Sequence, residues 1–379
     1  MNCRVKLQKL TLSIISLLLV FALQFPVQAG DSSATAANVN ALEEALKNLP
    51  KVGVLGSILT YSIPGRPTVA AIYGYADIEK SVPIGVDHLF QIGSQTKMFT
   101  AAALLKLQAQ GKLDLEDLVS KYVQGTPHPD KLTIRQLAMH TSGIGDGVIF
   151  FDPPGGKRPD FGVSFKNHLF LGKVAGEQFK PGEKWAYNNL GFIILGHIIE
   201  VVSEMPLNEY LREKILNPLG MHDTYLGALE LYPAHRMAKG YFYQGKQLVE
   251  TSVPNLSWAS SAGDMVSSIA DMKKWSVALL NENNAIGISL GDFIEVLSNV
   301  DGPGNLTRYG LGIMERRLGG KKLWGHGGFI HGYVSLTLVN PETGAMLHLM
   351  MNLENESETI LDVAEEVCAL ALKIAENEL

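Results

Sequence analysis

The stretch that decides the fold is Phe90–Lys97, FQIGSQTK, together with the run Met98–Gln110, MFTAAALLKLQAQ, that follows it. The second run is rich in Ala, Leu, Lys and Gln, which are strong helix formers, and its apolar residues recur at helical spacing. We therefore expect a helix with one buried face that begins near Ser94 and ends at Gly111. Ser94 and Lys97 then lie one turn apart on the same side of this helix.

Ser94 and Lys97 have the spacing S-x-x-K, which suits nucleophilic catalysis. A neutral lysine can take the proton of a nearby serine, and the serine can then attack a carbonyl carbon. The unpaired N–H groups of a helix start can stabilise the oxyanion that forms. The same spacing also arises by chance, so this pair alone does not establish an enzyme.

Residues 1–29 have the pattern of a secretory signal peptide. Three cations and no acid precede the apolar run Leu10–Phe25, and VQA at positions 27–29 resembles a small-residue cleavage signal. The run is short for a membrane span, so we expect cleavage after Ala29, no stable membrane span after cleavage, and a periplasmic or secreted protein. Retention of the leader as an anchor is the alternative.

The charge of the chain excludes some classes of partner. The formal charge is −6, and loss of the three leader cations would make it −9. Such a charge argues against nucleic acid or anionic lipid as a partner. The ten histidines show no H-E-x-x-H pattern or clustered ligand spacing, so we expect no metal and no other cofactor.

Strand patterns lie near both ends of the mature chain, and helical patterns lie between them. Amphipathic patterns also predict a helix at each end, Val39–Leu49 and Glu358–Glu376. We expect an α+β fold in which an antiparallel sheet, flanked by helices and built from N- and C-terminal segments, carries an inserted, mostly helical lobe. Residues 30–379 would form one domain, with an α/β lobe at about 37–93 and 255–379 and a helical lobe at about 94–254. The predicted strands are Val52–Ile63, Pro67–Ile78, Leu306–Arg316, Lys321–His326, Gly332–Val339 and Ala345–Met351.

Two further clusters carry side chains that are suited to chemistry. KPGEKWAYNN at positions 180–189 is a turn-rich approach to the apolar run Leu190–Ser203, and it places Tyr187 and Asn189 on a loop. WGHGGF at positions 324–329 puts a histidine at a strand end, among glycines that let a substrate lie against the backbone. Taken singly, each pattern is also typical of an ordinary turn or bulge.

Taken together, Ser94-x-x-Lys97, Tyr187-x-Asn189 and His326-Gly327-Gly328 resemble the S-x-x-K, Y-x-N and K/H-T/G-G elements of the serine β-lactamase and penicillin-binding-protein family. The resemblance covers nearly the whole mature chain. It is strongest to the secreted DD-carboxypeptidases with a histidine in the third element, and then to class C β-lactamases and family esterases. Four further stretches are similar to the family: LTIRQLAMHTSG at 132–143, NPLGMHDTYL at 217–226, SWASSAGDMVSS at 257–268 and YGLGI at 309–313.

The resemblance implies that Ser94 is the nucleophile and that Lys97 activates it as a general base. Tyr187 would relay the proton to the leaving group and to the deacylating water. Chemistry alone leaves open whether Lys97 or Tyr187 takes the first proton.

The resemblance also implies how a substrate is bound. Asn189 would hydrogen-bond the substrate amide, and His326 would offer a donor or positive charge to the substrate carboxylate. Gly327 and Gly328 would complete this substrate-binding element. The backbone N–H groups of Ser94 and Phe329 would form the oxyanion hole.

The implied function is an exported serine hydrolase that works through an acyl-enzyme on Ser94, most closely of the D-alanyl-D-alanine carboxypeptidase type acting on D-Ala-D-Ala-like peptides. The alternatives are a class C-like β-lactamase, a carboxylesterase of the same family, and a non-catalytic binding or sensing module. Gly327 stands where many members have threonine, and the cations that follow YGLGI most closely are Arg316, Arg317 and Lys321. The pattern therefore favours serine acyl transfer over any one substrate.

Overall fold

The structure is a computed structural model, and it describes residues 55–65, 68–151, 161–244, 246–251, 255–300 and 306–354. The predicted signal peptide and the predicted helices Val39–Leu49 and Glu358–Glu376 lie outside the described residues.

The strands of the described chain form one large sheet and two small ones. In chain order they are β1 (Gly56–Ser62), β2 (Val69–Asp77), β3 (Val82–Pro83), β4 (Leu89–Gln91), β5 (Tyr225–Leu226), β6 (Gly240–Gln244), β7 (Gln247–Thr251), β8 (Met265–Ser268), β9 (Ser298–Asn299), β10 (Leu306–Tyr309), β11 (Met314–Leu318), β12 (Lys321–Ile330), β13 (Tyr333–Val339), β14 (Met346–Met351) and β15 (Leu353–Glu354).

The large sheet has nine strands in the order β3-β2-β1-β14-β13-β12-β11-β10-β9, and all its neighbours are antiparallel. The early strand β1 pairs with the late strand β14, so that Leu59 lies opposite Leu349. The small sheets have the orders β15-β6-β7 and β4-β8-β5. The antiparallel sheet built from both ends of the chain confirms the predicted α+β fold class.

The described α-helices all lie between β4 and β9 in the chain. They are α1 (Thr96–Ala109), α2 (Ile134–Ala138), α3 (Phe165–Ala175), α4 (Asn189–Ser203), α5 (Leu207–Leu211), α6 (Ile269–Leu279) and α7 (Leu290–Ile294). Short 3₁₀ turns link several of them, and one π turn, Arg212–Leu216, continues α5.

Helix α1 differs from its prediction in two respects. It begins at Thr96, because Gly93 has a φ of +52° and residues Gly93–Gln95 form a separate 3₁₀ turn that contains Ser94. It is also buried on nearly every side rather than on one face, with Thr96 through Leu105 all buried or almost so. The many alanines of this run allow neighbouring elements to approach α1 closely.

Both faces of the central strands are buried. Successive strand residues point to opposite faces, so that Ile58 joins the main core while Leu59 joins a second apolar cluster. The main core includes α1, α4 and α6, and the rings of Phe99 and Trp275 lie 4.3 Å apart in it. In the described part of the chain no single helix is long and apolar enough to cross a membrane, although the bent pair Asn189–Ser203 and Leu207–Leu216 would pass on length and composition alone.

Candidate active site

The turn that carries Ser94 is held by strands on two sides. The backbone N–H of Ile92 donates to the carbonyl of Met265 at 2.9 Å, and the Ile92 carbonyl accepts from the Ser335 hydroxyl at 2.9 Å. The Gln95 side-chain amide donates to the same Ser335 oxygen at 2.6 Å. These bonds hold the turn in place on both sides of Ser94. Ser94 itself lies on the wall of a cleft.

Two glycines let the end of β12 lie against this turn. A Cβ at Gly93 would lie 2.9 Å from the backbone nitrogen of Phe329, and a Cβ at Gly328 would lie 1.8 Å from the carbonyl oxygen of Ile92. Larger residues would therefore push the strand and the turn apart. This close approach places Ser94 and Phe329, the two residues predicted to form the oxyanion hole, on the lining of the same cleft.

Lys97 has three polar neighbours and no solvent contact. Its side chain is buried, and Nζ lies 3.1 Å from Ser94 Oγ, 2.9 Å from Asn189 Oδ1 and 2.8 Å from the Ala262 carbonyl oxygen. The last two oxygens can only accept hydrogen bonds. A neutral amine has two N–H groups and one lone pair, so its hydrogens satisfy those oxygens and its lone pair is left for Ser94. As an ammonium, the same nitrogen donates to all three neighbours.

The protonation of Lys97 is set by its burial. Burial lowers the pKa of Lys97 from 10.5 to about 7, and the nearby Asp146 carboxylate opposes part of this change. A large fraction of Lys97 is therefore neutral near pH 7. The side chain is suited both to take a proton and to return it.

Tyr187 lies beside the same lysine. Its ring centroid is 4.8 Å from Lys97 Nζ, and its hydroxyl is buried without a complete hydrogen bond among the described residues. Burial raises the pKa of Tyr187 well above its usual value, and the neighbouring Ser94 hydroxyl offsets only part of that rise. A phenol that stays protonated can donate a proton but cannot take the first one, so the arrangement favours Lys97 as the first base.

Asn189 is the first residue of α4, and both ends of its side chain are engaged. Its Oδ1 accepts from Lys97, while its Nδ2 donates to Asp146 Oδ2 at 3.1 Å. The amide orientation is therefore fixed, with the oxygen toward the lysine. One hydrogen of Nδ2 is left for the amide contact with a substrate that the sequence predicts.

His326 belongs to a buried chain of hydrogen bonds. The Asn188 backbone N–H donates to His140 Nδ1 at 3.1 Å, so the other ring nitrogen of a neutral His140 carries the hydrogen. His140 Nε2 lies 3.0 Å from the Tyr309 hydroxyl, and that hydroxyl lies 3.1 Å from His326 Nε2. His326 Nδ1 lies 2.5 Å from the Gly327 carbonyl, which can only accept. With both rings neutral, every donor in this chain meets an acceptor.

This placement of His326 differs from the expectation that it offers charge to a substrate carboxylate. The side chain is fully buried, and both ring nitrogens are used inside the protein. Burial lowers the pKa of His326 to about 3, with Lys97 acting in the same direction. His326 is therefore neutral at ordinary pH, and the described lining of the cleft does not include it.

Gly327 and Gly328 differ in the space around them. A Cβ at Gly327 would have no neighbour closer than 3.8 Å, whereas a Cβ at Gly328 would overlap the Ile92 carbonyl, just before the turn that carries Ser94. A Cβ at Gly327 would therefore make only ordinary van der Waals contacts. Nη2 of Arg316 would lie 3.9 Å from that Cβ, so a cation stands beside this part of β12.

The cleft has a volume of about 570 Å³, counting its open mouth. No Lys, Arg, Asp or Glu occurs among the described residues that line it. In the described ranges no group of three or more His, Cys, Asp or Glu is arranged to hold a metal ion. The lining consists of Ser94, Val148, Tyr187, Asn189, Trp258, Ala259, Ala262, Gly263, Phe329 and Ile330.

Comparisons with known proteins identify the family of this chain. The sequence model of the family described as Beta-lactamase matches residues 39–367. The chain belongs to the Beta-lactamase family.

Among solved structures of similar fold, the D-amino acid amidase from Ochrobactrum anthropi SV3, complexed with D-phenylalanine, has a TM-score of 0.83 at 30% identity, and the match covers 90% of this chain and 100% of that one. The D-stereospecific amidohydrolase from Streptomyces sp. has a TM-score of 0.74 at 29% identity, covering 86% and 97%. The putative penicillin-binding protein PbpX of Bacillus subtilis (strain 168) is 30% identical over 242 residues, which are 64% of this chain and 57% of that protein. The chain spans about three fifths of the length of the curated relatives it matches.

Membership of this family and the similarity to an amidase and an amidohydrolase indicate serine hydrolase chemistry at this site. The structure brings together Ser94, Lys97, Tyr187 and Asn189, and it places Phe329 at the same cleft. It places His326 behind that cleft instead of in it.

Several residues at this site were not predicted from the sequence. His140 and Tyr309 lie within stretches that resemble the Beta-lactamase family, but linear position does not show that they bond to each other. Asp146 lies 43 residues before Asn189, to which it is hydrogen-bonded. The Ala262 carbonyl lies 165 residues after Lys97, from which it accepts a hydrogen bond. The only signal for Asp146 is an acid between glycines just after a predicted helix, which is also typical of any turn.

Proposed function

We propose that the protein hydrolyses small amides and esters of amino acids, with an uncharged leaving group, through an acyl-enzyme on Ser94. The observation that carries this proposal is the uncharged lining of the cleft beside a neutral, buried His326. A substrate that ends in a carboxylate needs a cation or several donors to replace its lost hydration. The described lining offers apolar surface from Val148, Trp258 and Ile330 instead.

Acylation begins when neutral Lys97 takes the proton of Ser94 and Ser94 Oγ attacks the carbonyl carbon. The negative charge on the carbonyl oxygen is stabilised by backbone N–H groups at Ser94 and Phe329. When the bond to the leaving group breaks, Tyr187 donates its proton to the departing nitrogen or oxygen. Lys97, now an ammonium beside the Tyr187 ring, restores that proton.

Deacylation runs the same transfers in the opposite direction. Water gives a proton to the Tyr187–Lys97 pair and its oxygen attacks the ester carbon on Ser94. The ester bond breaks, Ser94 Oγ regains its proton, and the carboxylic acid leaves. The sum of the two steps is an amide or ester plus water giving an acid and an amine or alcohol.

The similarity to two stereospecific enzymes supports the D configuration of the acyl group. The names of those relatives, a D-amino acid amidase and a D-stereospecific amidohydrolase, concern their own substrates. Their coverage and TM-scores exceed what a shared local motif would give. We therefore propose D-aminoacyl amides, and esters of the same acids, as the substrate class.

A matched pair of peptides tests this proposal. One ends in D-Ala-D-Ala with a free carboxylate, and the other is the same peptide with a carboxyl-terminal amide. We expect kcat/KM to be at least about tenfold higher for the amidated peptide, since only the free acid must bury an unpaired charge. D- and L-phenylalanine amide test the stereochemistry in the same assay. A preference for the free acid would overturn the proposal.

D-alanyl-D-alanine carboxypeptidase activity is the second candidate, and one observation favours it. Arg316 stands beside Gly327, near where a substrate carboxylate would lie along β12. In this case Arg316→Gln should lower kcat/KM for the free-acid peptide and leave a neutral ester unchanged. A β-lactamase would instead turn over nitrocefin repeatedly rather than form one lasting adduct on Ser94.

We further propose that the protein is exported and processed after Ala29. The cationic start, the apolar run Leu10–Phe25 and the VQA pattern support this. Intact-mass analysis of protein from the source cell should give a chain that begins at Gly30. A chain that still carries the leader would contradict cleavage and favour an anchor.

A further inference from the structure

We propose that Asp146 is a positioning residue for Lys97, because it fixes the Asn189 amide and holds a negative charge beside the lysine. No stretch of the sequence marks it for this role. The proposal rests on the proposed function in one respect only, namely that neutral Lys97 is the base for Ser94.

The Asp146 carboxylate is held in one orientation. The residue is 8% exposed. Its Oδ2 accepts from the Asn189 backbone at 2.9 Å and from Asn189 Nδ2 at 3.1 Å. Its Oδ1 accepts from the backbone N–H groups of Val148 at 3.2 Å and Leu190 at 3.3 Å. Four donors thus lock the carboxylate against the first turn of α4.

The consequence for Asn189 is a choice between two amide orientations. With Nδ2 on the Asp146 carboxylate, the oxygen faces Lys97, and it accepts an N–H of either the amine or the ammonium. The opposite orientation would place an NH₂ group against Lys97 and compete with Ser94 for its lone pair. Asp146 excludes that orientation, because Nδ2 is the only part of the side chain that can donate to a carboxylate.

The consequence for Lys97 is electrostatic. The titratable groups around it are Tyr187 from the loop before α4, His140 from the end of the α2 segment and His326 from β12. Burial raises the pKa of Tyr187 and lowers the pKa of both histidines, so these three groups are uncharged at ordinary pH. Among the described residues, Asp146 is the carboxylate that raises the pKa of Lys97 against the effect of burial.

The test compares Asp146→Asn with a matched control, Asp271→Asn. Asp271 is also a buried aspartate that accepts from backbone and hydroxyl donors, namely Asp223 N at 2.7 Å and Thr224 Oγ1 at 2.9 Å. It also pairs with Lys274 at 2.7 Å, and unlike Asp146 it makes no hydrogen bond to Asn189. The measurement is the pH profile of kcat/KM for a neutral p-nitrophenyl ester, per active site counted with a fluorophosphonate. Thermal unfolding of each variant reports on folding.

In Asp146→Asn we expect the acid limb of the profile to move to lower pH by about one unit, because loss of a nearby negative charge disfavours the ammonium. We also expect the plateau to fall by about tenfold, because the Asn189 amide is no longer held in one orientation. In Asp271→Asn both quantities should match the wild type. A plateau that falls without movement of the limb would overturn the proposal, and so would an unchanged profile.

Asp146→Glu keeps the charge and displaces it. The limb should then stay within a few tenths of a pH unit of the wild type while the plateau falls. If Asp146→Asn does not fold, Asp146→Glu provides the test in its place. An acid limb that moves down by a full pH unit in Asp146→Glu would overturn the electrostatic role. Because an activated ester is the probe, failure of the amide proposal would leave the ester activity and its pH profile measurable.

Discussion

Two buried basic groups behind the same cleft, Lys97 and His326, have opposite chemical roles. Lys97 Nζ has two acceptor-only neighbours and one hydroxyl, so its neutral form keeps a lone pair directed at Ser94. His326 has one nitrogen on a carbonyl and the other on the Tyr309 hydroxyl, so its neutral form has nothing left to offer a substrate. Burial lowers the pKa of both groups. The difference shows that the neighbours of a buried base, rather than its place in a motif, decide whether it takes part in chemistry.

The largest expected effect comes from removing the lysine. Lys97→Met should lower kcat/KM for every substrate on the order of 10⁴-fold, because Ser94 loses its base. Steady-state kinetics and the rate of fluorophosphonate labelling of Ser94 measure this loss. A variant that retained a tenth of the wild-type rate would show that Tyr187 or another group takes the first proton.

The same variant carries a stability signature. The folded-state pKa of Lys97 is lowered, so the native state binds fewer protons than the unfolded state between about pH 7 and its ordinary value of 10.5. Wild-type stability must therefore fall as pH drops through that window. Lys97→Met lacks this loss, so its free energy of unfolding relative to the wild type should increase as pH falls from 9 to 7. A constant difference in chemical denaturation across that range would contradict the lowered pKa.

A pair of glycine substitutions tests the strand that carries His326. Gly328→Ala forces a Cβ against the Ile92 carbonyl and should separate Phe329 from Ser94, costing roughly 10²-fold in kcat, the size of losing one oxyanion donor. Gly327→Ala adds a Cβ that makes only ordinary van der Waals contacts, so it should change kcat/KM by less than about threefold. Ester kinetics with a thermal melt of each variant distinguish the two. Equal losses in both would contradict the close approach at Gly328.

Tyr309→Phe tests the chain of hydrogen bonds behind His326. Loss of the hydroxyl leaves two buried imidazole nitrogens without partners, which costs about 1–3 kcal/mol each in stability. Activity should fall only about tenfold, since the effect reaches the reaction through the position of β12. In wild-type protein, ¹⁵N spectra should show neutral rings with the hydrogen on Nδ1 of His326 and on Nε2 of His140. The reverse tautomers would contradict the order of donors in this chain.

The sequence predicts the fold well, because the fold is indicated by local patterns of periodicity and turn residues and by motifs that resemble those of the family. The hairpin of β1 and β2, the helix at Leu190–Ser203 and strands β13 and β14 follow from periodicity and turn residues. The single strand predicted at Leu306–Arg316 is instead the antiparallel pair β10 and β11, and the strand predicted at Lys321–His326 continues to Ile330. The start of α1 was placed two residues too early, because the φ of Gly93 is not visible as a pattern. Residues 1–54 and 355–379, in which a signal peptide and two terminal helices are predicted, lie outside the described chain.

The site is predictable as a set of residues but not as a set of contacts. Ser94, Lys97, Tyr187 and Asn189 follow from spacing and family resemblance. The neutral state of His326 depends on Tyr309 and on the Gly327 carbonyl, and the orientation of Asn189 depends on Asp146. These partners come together only through tertiary packing, so the motif, which predicts a donor or positive charge at His326, does not show that both ring nitrogens are used inside the protein.

The central claim is that Lys97, and not His326, sets the pH dependence of Ser94. The most direct test is the second-order rate of phosphonylation of Ser94 by a neutral fluorophosphonate, measured from pH 5 to pH 10 in the wild type and in His326→Gln. This reaction involves one nucleophilic step and no substrate charge. The rate should rise along a single limb with a midpoint near the pKa of about 7 for Lys97, and the midpoint should be the same in His326→Gln. A limb near the ordinary histidine pKa of about 6.5 that disappears in His326→Gln would contradict the account.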